Sequence, residues 1–151
     1  MHTTEKTLAI IKPDAVTNNI AGKIISSIEE HAIGIAAMKM VHLTDEDAKR
    51  FYSVHTGKSF FDGLVAFMSS APCIALVLEG DDVLDRWRSL MGPTDPRNAP
   101  PESIRRRFGT DVRHNATHGS DSPESATEEI AFFFSGFELK PSCFSRKESD
   151  R

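Results

Sequence analysis

The stretch Asn115-Ala116-Thr117-His118-Gly119-Ser120-Asp121-Ser122 sets an imidazole beside three hydroxyls and a carboxylate. Ser122 followed by Pro123 is the pattern of a helix start, with the hydroxyl as cap and proline in the first turn. His118 is therefore expected just ahead of a helix N-terminus, where free amides and the macrodipole form a positive pole that attracts phosphate. Neutral imidazole is a good nucleophile near neutral pH and needs no separate base. Gly119 is expected to remove bulk beside the ring, and Ser120 to add a hydroxyl donor. Glu129 lies three residues after Ala126 and one before Ile130, so it borders the apolar stripe of the same helix. A carboxylate there needs a hydrogen bond, and its candidates are Ser120 and the imidazole. The bland alternative is a surface loop with a satisfied histidine and a solvated glutamate.

Cations distributed along the chain favour the chemical reading. Lys12 closes the apolar run Thr7–Ile11, Arg88 falls late in a helical pattern, and Arg105 sits in a long Pro- and Arg-rich segment from Pro93 to about Asn115. Together they could grip one polyanion, with arginine forks suited to phosphate oxygens and lysine acting as a compact charge. Taken singly, each reads equally well as a solvated cation worth little, and that is the expectation for Arg106 and Arg107. Phe60 offers a face on which a base could stack, although an aromatic at helical spacing is commonly core. Gly57-Lys58-Ser59 imitates the end of a phosphate-binding loop, but Tyr52 occupies the position of its required first glycine. The glycine-rich fingerprints of dinucleotide folds and protein kinases are absent as well.

The 151 residues carry 18 Lys plus Arg against 22 Asp plus Glu, a formal charge of −4. A pI near 5.8 argues against a dedicated binder of nucleic acid or anionic membrane. With 39% hydrophobic and 26% charged residues the chain falls in the soluble globular class. A chain of this mass buries about two-thirds of its unfolded surface, which suffices for a core without staples. Cys73 and Cys143 make no disulfide framework. Met1–Lys6 is polar, Leu8–Ile11 is too short for a signal peptide, and no apolar stretch reaches membrane-spanning length. The expectation is a reducing, cytoplasmic setting.

The elements that must position these groups alternate. Thr7–Ile11 reads as a buried strand with Lys12 at its carboxyl end. Ile24, Ile25, Ile28 and Ala32 share a helical face that Gly34 should stop. Ile35–Leu43 reads as a strand, and Thr44 with Asp47 as a capping box for a helix through Ala48, Phe51 and Tyr52. Phe60, Phe61, Leu64, Val65 and Met68 outline another helix. Cys73–Leu78 is a continuous apolar strand. Asp81 or Asp82 should cap a helix burying Val83, Trp87, Leu90 and Met91, ended by Gly92-Pro93. After the long loop, with one helical turn near Glu102–Phe108, Ala116–His118 reads as a short strand. The last helix buries Ala126, Ile130, Phe133 and Phe134. This order predicts an α/β, or α+β, sandwich in a single domain over residues 1–151, with a polar tail from about 138. Its core is expected to be a ferredoxin-like βαββαβ unit with an antiparallel sheet and the long loop near the active site.

From Glu5 to about Phe134 the chain resembles the nucleoside diphosphate kinases. The resemblance rests on Thr7-Leu8-Ala9-Ile10-Ile11-Lys12-Pro13-Asp14, on Gly63-Leu64-Val65, on Met91-Gly92-Pro93-Thr94-Asp95-Pro96, and on Asn115 through Ser122 with Glu124-Ser125-Ala126 and Glu128-Glu129-Ile130 behind it. It implies a phosphohistidine intermediate at His118, with Glu129 and Ser120 positioning the ring and its phosphate and Tyr52 close by. It assigns Lys12, Arg88, Thr94, Arg105 and Asn115 to phosphates and sugar, and Phe60, Leu64 and Val112 to the base. Ser59, where many relatives have proline, and His114, before Asn115, depart from the pattern, as does the tail. The resemblance further implies ping-pong transfer from a nucleoside triphosphate, mainly ATP, to diphosphates, and symmetric homo-oligomers. Mg²⁺ would ride on the nucleotide phosphates, with Asp121 within reach of a metal-bound water. Stacking on Phe60 without edge reading would tolerate purines and pyrimidines alike. The competing class is a silent ferredoxin-like module that binds a ligand or assembles partners, in which His118 is incidental. A histidine phosphotransfer protein is disfavoured by the two strand signals.

Overall fold

A computed structural model describes residues 4–139. The elements run β1 (Glu5–Ile11), α1 (Pro13–Thr17), α2 (Ala21–Glu30), β2 (Gly34–Val41), α3 (Asp45–Phe51), α4 (Phe61–Met68), β3 (Cys73–Gly80), α5 (Val83–Met91), α6 (Ile104–Phe108), β4 (Thr117–Gly119) and α7 (Pro123–Phe133). Short 3₁₀ turns at Ser53–His55 and Pro96–Asn98 break the loops. The four strands form one antiparallel sheet in the order β2-β3-β1-β4, as the ferredoxin-like pattern requires. A register shift between Ile35 and Ala37 bulges the edge strand β2.

The central strands β1 and β3 are apolar without alternation, so both faces of the sheet must be covered. Ala9, Ile11, Leu76 and Leu78 point to one side and pack with Ile24 and Ile28 of α2 and Trp87 of α5. Leu8, Ile10, Ala75 and Val77 point to the other and pack with Val65 and Met68 of α4 and Ile130 and Phe133 of α7. The second helical layer is more than the minimal ferredoxin-like unit contains, and it carries half of the site.

Local signals explain most boundaries. Thr44 and Asp47 exchange hydrogen bonds across a capping box at the start of α3, and Ser122 and Ser125 do the same for α7. Two expectations needed revision. Ala32 lies beyond the end of α2 with φ of +56°, taking the left-handed position that glycine usually fills, while Gly34 opens β2 instead. Asp82 precedes α5 but is itself left-handed and makes no side-chain cap; the carboxylate at this end of α5 is that of Glu5, which accepts from the Leu84 N–H at 3.4 Å. Of the tail, only its beginning to Leu139 lies among the described residues. Cys143 lies outside them.

Candidate active site

In β4, His118 pairs with Ile10 while Thr117 and Gly119 pair with Ile11 and Ala9. Directly opposed residues share a face, so the His118 side chain points into the layer of α3, α4 and α7, and Gly119 faces α5. The consequence for Gly119 differs from the expectation. A Cβ there would lie 2.6 Å from Met91 Cε and 2.8 Å from Trp87 Nε1. Glycine is needed for the close approach of α5, whose Trp87 indole N–H donates to the His118 carbonyl at 3.3 Å.

The strand is held from its N-terminal side by a tight turn. Ala116 is fully buried with φ of +71°, and Thr117 N–H donates to Asn115 O at 2.8 Å across it. Such a conformation is costly for a residue with a Cβ. It is held in place by the Ala116 N–H donating to Asp14 Oδ2 at 3.1 Å and the Lys12 N–H donating to Ala116 O at 2.8 Å. Burial raises the pKa of Asp14, while the amide it accepts from opposes the shift.

On the His118 ring, Nε2 is hydrogen-bonded to Glu129 Oε1. An ionised carboxylate only accepts, so the proton belongs on Nε2 and the lone pair on Nδ1. Nδ1 is the uncommitted nitrogen among the described contacts. Phe51 and Tyr52 set the ring's tilt by edge contacts, with centroids 5.4 and 6.2 Å away. The Tyr52 hydroxyl is buried without a hydrogen-bond partner among the described residues, and burial pushes its pKa well above the ordinary phenol range. It therefore stays protonated, a donor without an acceptor.

Around this ring lies a cleft of about 520 Å³. At one end are three cations. Lys12 is only 6% exposed, and its Nζ donates to Asn115 Oδ1 at 2.8 Å and to Arg113 O at 3.2 Å. Burial, with Arg105 nearby, lowers its pKa to about 8. Arg105 donates to Gly92 O at 3.0 Å and Thr117 O at 2.9 Å, leaving Nε buried without a partner among the described residues. Its pKa falls to about 10 through burial and the neighbouring Arg88. Arg88 pairs with Asp121 at 2.8 Å. Desolvated cations in mutual repulsion are an arrangement that a polyanion relieves. Asn115 Nδ2 donates to Thr94 O at 3.0 Å and Val112 O at 3.2 Å, tying both halves of the long loop to Lys12. The other end is apolar: Phe60 is 43% and Val112 57% exposed, with Leu64 below them.

The structure brings Lys12, Tyr52, Phe60, Leu64, Arg88, Thr94, Arg105, Val112, Asn115, His118, Asp121 and Glu129 to the lining of this one cleft. Ser120 is the exception: it is buried behind the wall, and its Oγ lacks a partner among the described residues. Glu129 is thus bonded to the imidazole, and no bond joins it to Ser120. The expected helix pole also differs. The first turn of α7 does not line the cleft; the Asp121 and Ser122 N–H groups ahead of it donate to Ser125 Oγ, the Ser125 N–H donates to Ser122 Oγ, and α7 contributes Glu129. Positive potential comes from the side-chain cations instead. Arg106 and Arg107 point away, to Arg97 O and to Ser27 Oγ. Phe51, His55, Met91, Asp111, Arg113 and His114 also line the cleft, and sequence reasoning assigned none of them to it. Phe51 reads as ordinary core, and of the others only Arg113, in an arginine-rich loop, carried a signal.

For Mg²⁺, the donor set is informative. The described residues contain no cluster of three or more His, Cys, Asp or Glu able to cage a metal. Asp121, at the cationic end with Oδ1 on Arg88, is a carboxylate that faces solvent. That set fits an ion delivered on phosphates and not one held by protein ligands.

Such a histidine, fixed at one nitrogen and facing a cationic cleft on a ferredoxin-like scaffold, is a candidate site for phosphoryl transfer. Comparison with known proteins gives the family. Residues 5–139 match the family model described as Nucleoside diphosphate kinase. The chain is 50% identical to the nucleoside diphosphate kinase of Hydrogenovibrio crunogenus over 135 residues, covering 89% of this chain and 96% of that protein. It is 50% identical to that of Desulfotalea psychrophila, with 89% and 98% covered. Among solved structures, the Aquifex aeolicus nucleoside diphosphate kinase superposes with a TM-score of 0.88 at 49% identity, covering 91% of this chain and all of that one. The Halobacterium salinarum enzyme, solved in complex with CDP, gives 0.89 at 38% identity, with 93% of each chain covered. This chain belongs to the nucleoside diphosphate kinase family.

Proposed function

We propose that this chain moves the terminal phosphoryl group of a nucleoside triphosphate, mainly ATP, onto nucleoside diphosphates through a phosphohistidine at His118. The observation that carries the reading is the ring's fixation: Nε2 is bound to Glu129, and the other nitrogen is left for a cleft lined by Lys12, Arg88 and Arg105. In the first half-reaction the Nδ1 lone pair attacks the γ-phosphorus in line. The N–P bond forms, the bond from phosphorus to the β,γ-bridging oxygen breaks, and the diphosphate leaves with that electron pair. The charge that develops on the ring is met by Glu129 through the Nε2 proton. In the second half a terminal oxygen of another diphosphate attacks the same phosphorus and the N–P bond breaks.

Lys12, Arg88 and Arg105 hold the phosphates and offset the charge spreading over the transferred group. Tyr52 keeps the ring aligned by its edge contact, and Ser120 acts from behind the wall, holding the end of β4 through its N–H on Leu8 O at 3.3 Å. Thr94 and Asn115 hold sugar and phosphate, while Phe60, Leu64 and Val112 clasp the base by stacking. Mg²⁺ carried on the nucleotide would supply neutralisation of the phosphate charge, and Asp121 would be the residue to hold one of its waters. The catalytic unit is read as a single domain with a polar tail, working as a homo-oligomer in the cytoplasm, with no nucleic-acid or membrane partner. No helix among the described residues is long and apolar enough to cross a membrane.

The test is steady-state transfer from ATP to a panel of diphosphates. Parallel double-reciprocal lines for each acceptor support a covalent carrier. Intersecting lines with both substrates bound at once would refute it and leave a ternary-complex transferase. No transfer to any acceptor would favour a silent ligand-binding module.

A further inference from the structure

Arg113 is a fourth cation in the cleft, and it lies at the wrong end for phosphate. Its backbone is pinned on both sides: the N–H donates to Asp111 Oδ1 at 2.9 Å, and the carbonyl accepts from Lys12 Nζ at 3.2 Å. Asp111 is itself a fixed anchor, held well ionised at a pKa of about 2 by the His114 and Arg113 amides and the His114 ring. The Arg113 side chain then reaches across the cleft to α4. A Cβ on Gly63 would lie 2.3 Å from Nη2, 2.6 Å from Cζ and 2.8 Å from Nη1, so the guanidinium rests on the bare backbone of that glycine. Gly63 follows Phe60 by three residues and precedes Leu64, which puts the guanidinium on the same helical face as the aromatic platform and one turn along it. Among the described residues the guanidinium makes no hydrogen bond or ion pair, and its donors are uncommitted.

Resting on the base slot assigned above, we infer that Arg113 reads the edge of the bound base and gives this enzyme a preference for guanine over adenine nucleotides. A guanidinium has five N–H donors and no acceptor. Guanine presents two adjacent acceptors, O6 and N7, which match that fork, whereas adenine places an amino donor where O6 would be. The phosphate-end cations are indifferent to the base, so discrimination falls to Arg113. The preference is superimposed on stacking that accepts every base, and it is correspondingly modest. Gly63 is part of the device: any side chain there would displace the guanidinium.

The experiment is discharge of pre-formed phosphoenzyme by GDP, IDP and ADP, in wild type, Arg113→Ala and Gly63→Ala. Gly63→Ala keeps the charge, suits a helix interior better than glycine, and moves only the flexible end of Arg113. The wild type should be discharged faster by GDP and by IDP, which retains O6 and N7, than by ADP. Both variants should lower the GDP-to-ADP rate ratio by about fivefold. A phosphoenzyme whose ratio is the same in all three proteins overturns the inference while leaving the enzyme reading intact. Absence of any phosphoenzyme overturns the enzyme reading and this one with it.

Discussion

Lys12 should make activity and stability run in opposite directions above neutral pH. Its ammonium is nearly solvent-free and loses its proton at about 8 instead of 10.5, through burial first and Arg105 second, with Asp14 and Asp111 opposing. In the free enzyme the charge offered to phosphate therefore disappears through this range, and kcat/KM should fall about tenfold per pH unit beyond it. Folding responds the other way. Between about 8 and 10.5 the unfolded chain holds the Lys12 proton and the folded one does not, so ΔG of unfolding rises with pH. The gap is worth roughly 3 kcal/mol when fully released. Cys73, whose thiol burial pushes to about 11, and Tyr52 act in the opposite sense as they ionise, which masks the gain in wild type alone. Comparison with Lys12→Met cancels them. Urea unfolding at pH 7 should find Lys12→Met the more stable protein, even after the loss of two hydrogen bonds, with its advantage shrinking by roughly 3 kcal/mol by pH 10.5. A stability difference that is flat across that window, or one that grows, would refute the claim that a charged lysine is buried there. So would a kcat/KM that stays level to pH 10.

Three further outcomes follow from specific contacts. Arg105→Ala removes a buried cation with bonds to Gly92 and Thr117; nucleotide KM should rise and transfer slow by about a hundredfold together, and wild-type kinetics would displace the long loop from the site. Gly119→Ala drives a methyl into Met91 and Trp87 and should cost about 1–3 kcal/mol in chemical denaturation; an unchanged midpoint would mean that α5 yields freely. Glu129→Gln keeps a hydrogen-bonding group on Nε2 but no charge, so stopped-flow phosphorylation should slow by about ten- to a hundredfold while ADP affinity measured by calorimetry holds. Equal loss of both would make Glu129 a structural residue.

Much of this architecture was legible because single residues carried unambiguous local physics. Thr44 with Asp47 and Ser122 with Pro123 announce helix starts, and the apolar runs at Thr7–Ile11 and Cys73–Leu78 announce central strands. Those runs also implied that both sheet faces are covered, though the pattern alone did not say that α4 and α7 cover the second one. The left-handed turns escaped notice where alanine stands in for glycine. Ala116 owes its conformation to tertiary hydrogen bonds and burial, which no propensity reports; Ala32 is exposed and its N–H closes back on Glu29 O at the end of α2. The site was legible as residue types, and the resemblance supplied their roles. Its geometry was not, because it depends on which face each residue of β4 presents. That single register turns His118 toward Glu129, presses Gly119 against Trp87, and leaves Ser120 behind the wall. Arg113 escaped because its significance lies in Gly63, a residue distant in sequence that offers it no partner atom, only room.

The central claim is that the His118 ring takes up phosphate. Brief incubation of the full chain with γ-labelled ATP and magnesium, followed by denaturation and peptide mapping, tests it in one step. The account predicts label on the His118 peptide that survives alkali, is lost in acid, is chased quantitatively by any added diphosphate, and vanishes in His118→Asn although that variant still binds ADP. Label retained in His118→Asn, or a wild type that transfers phosphate without ever carrying label on His118, would contradict it.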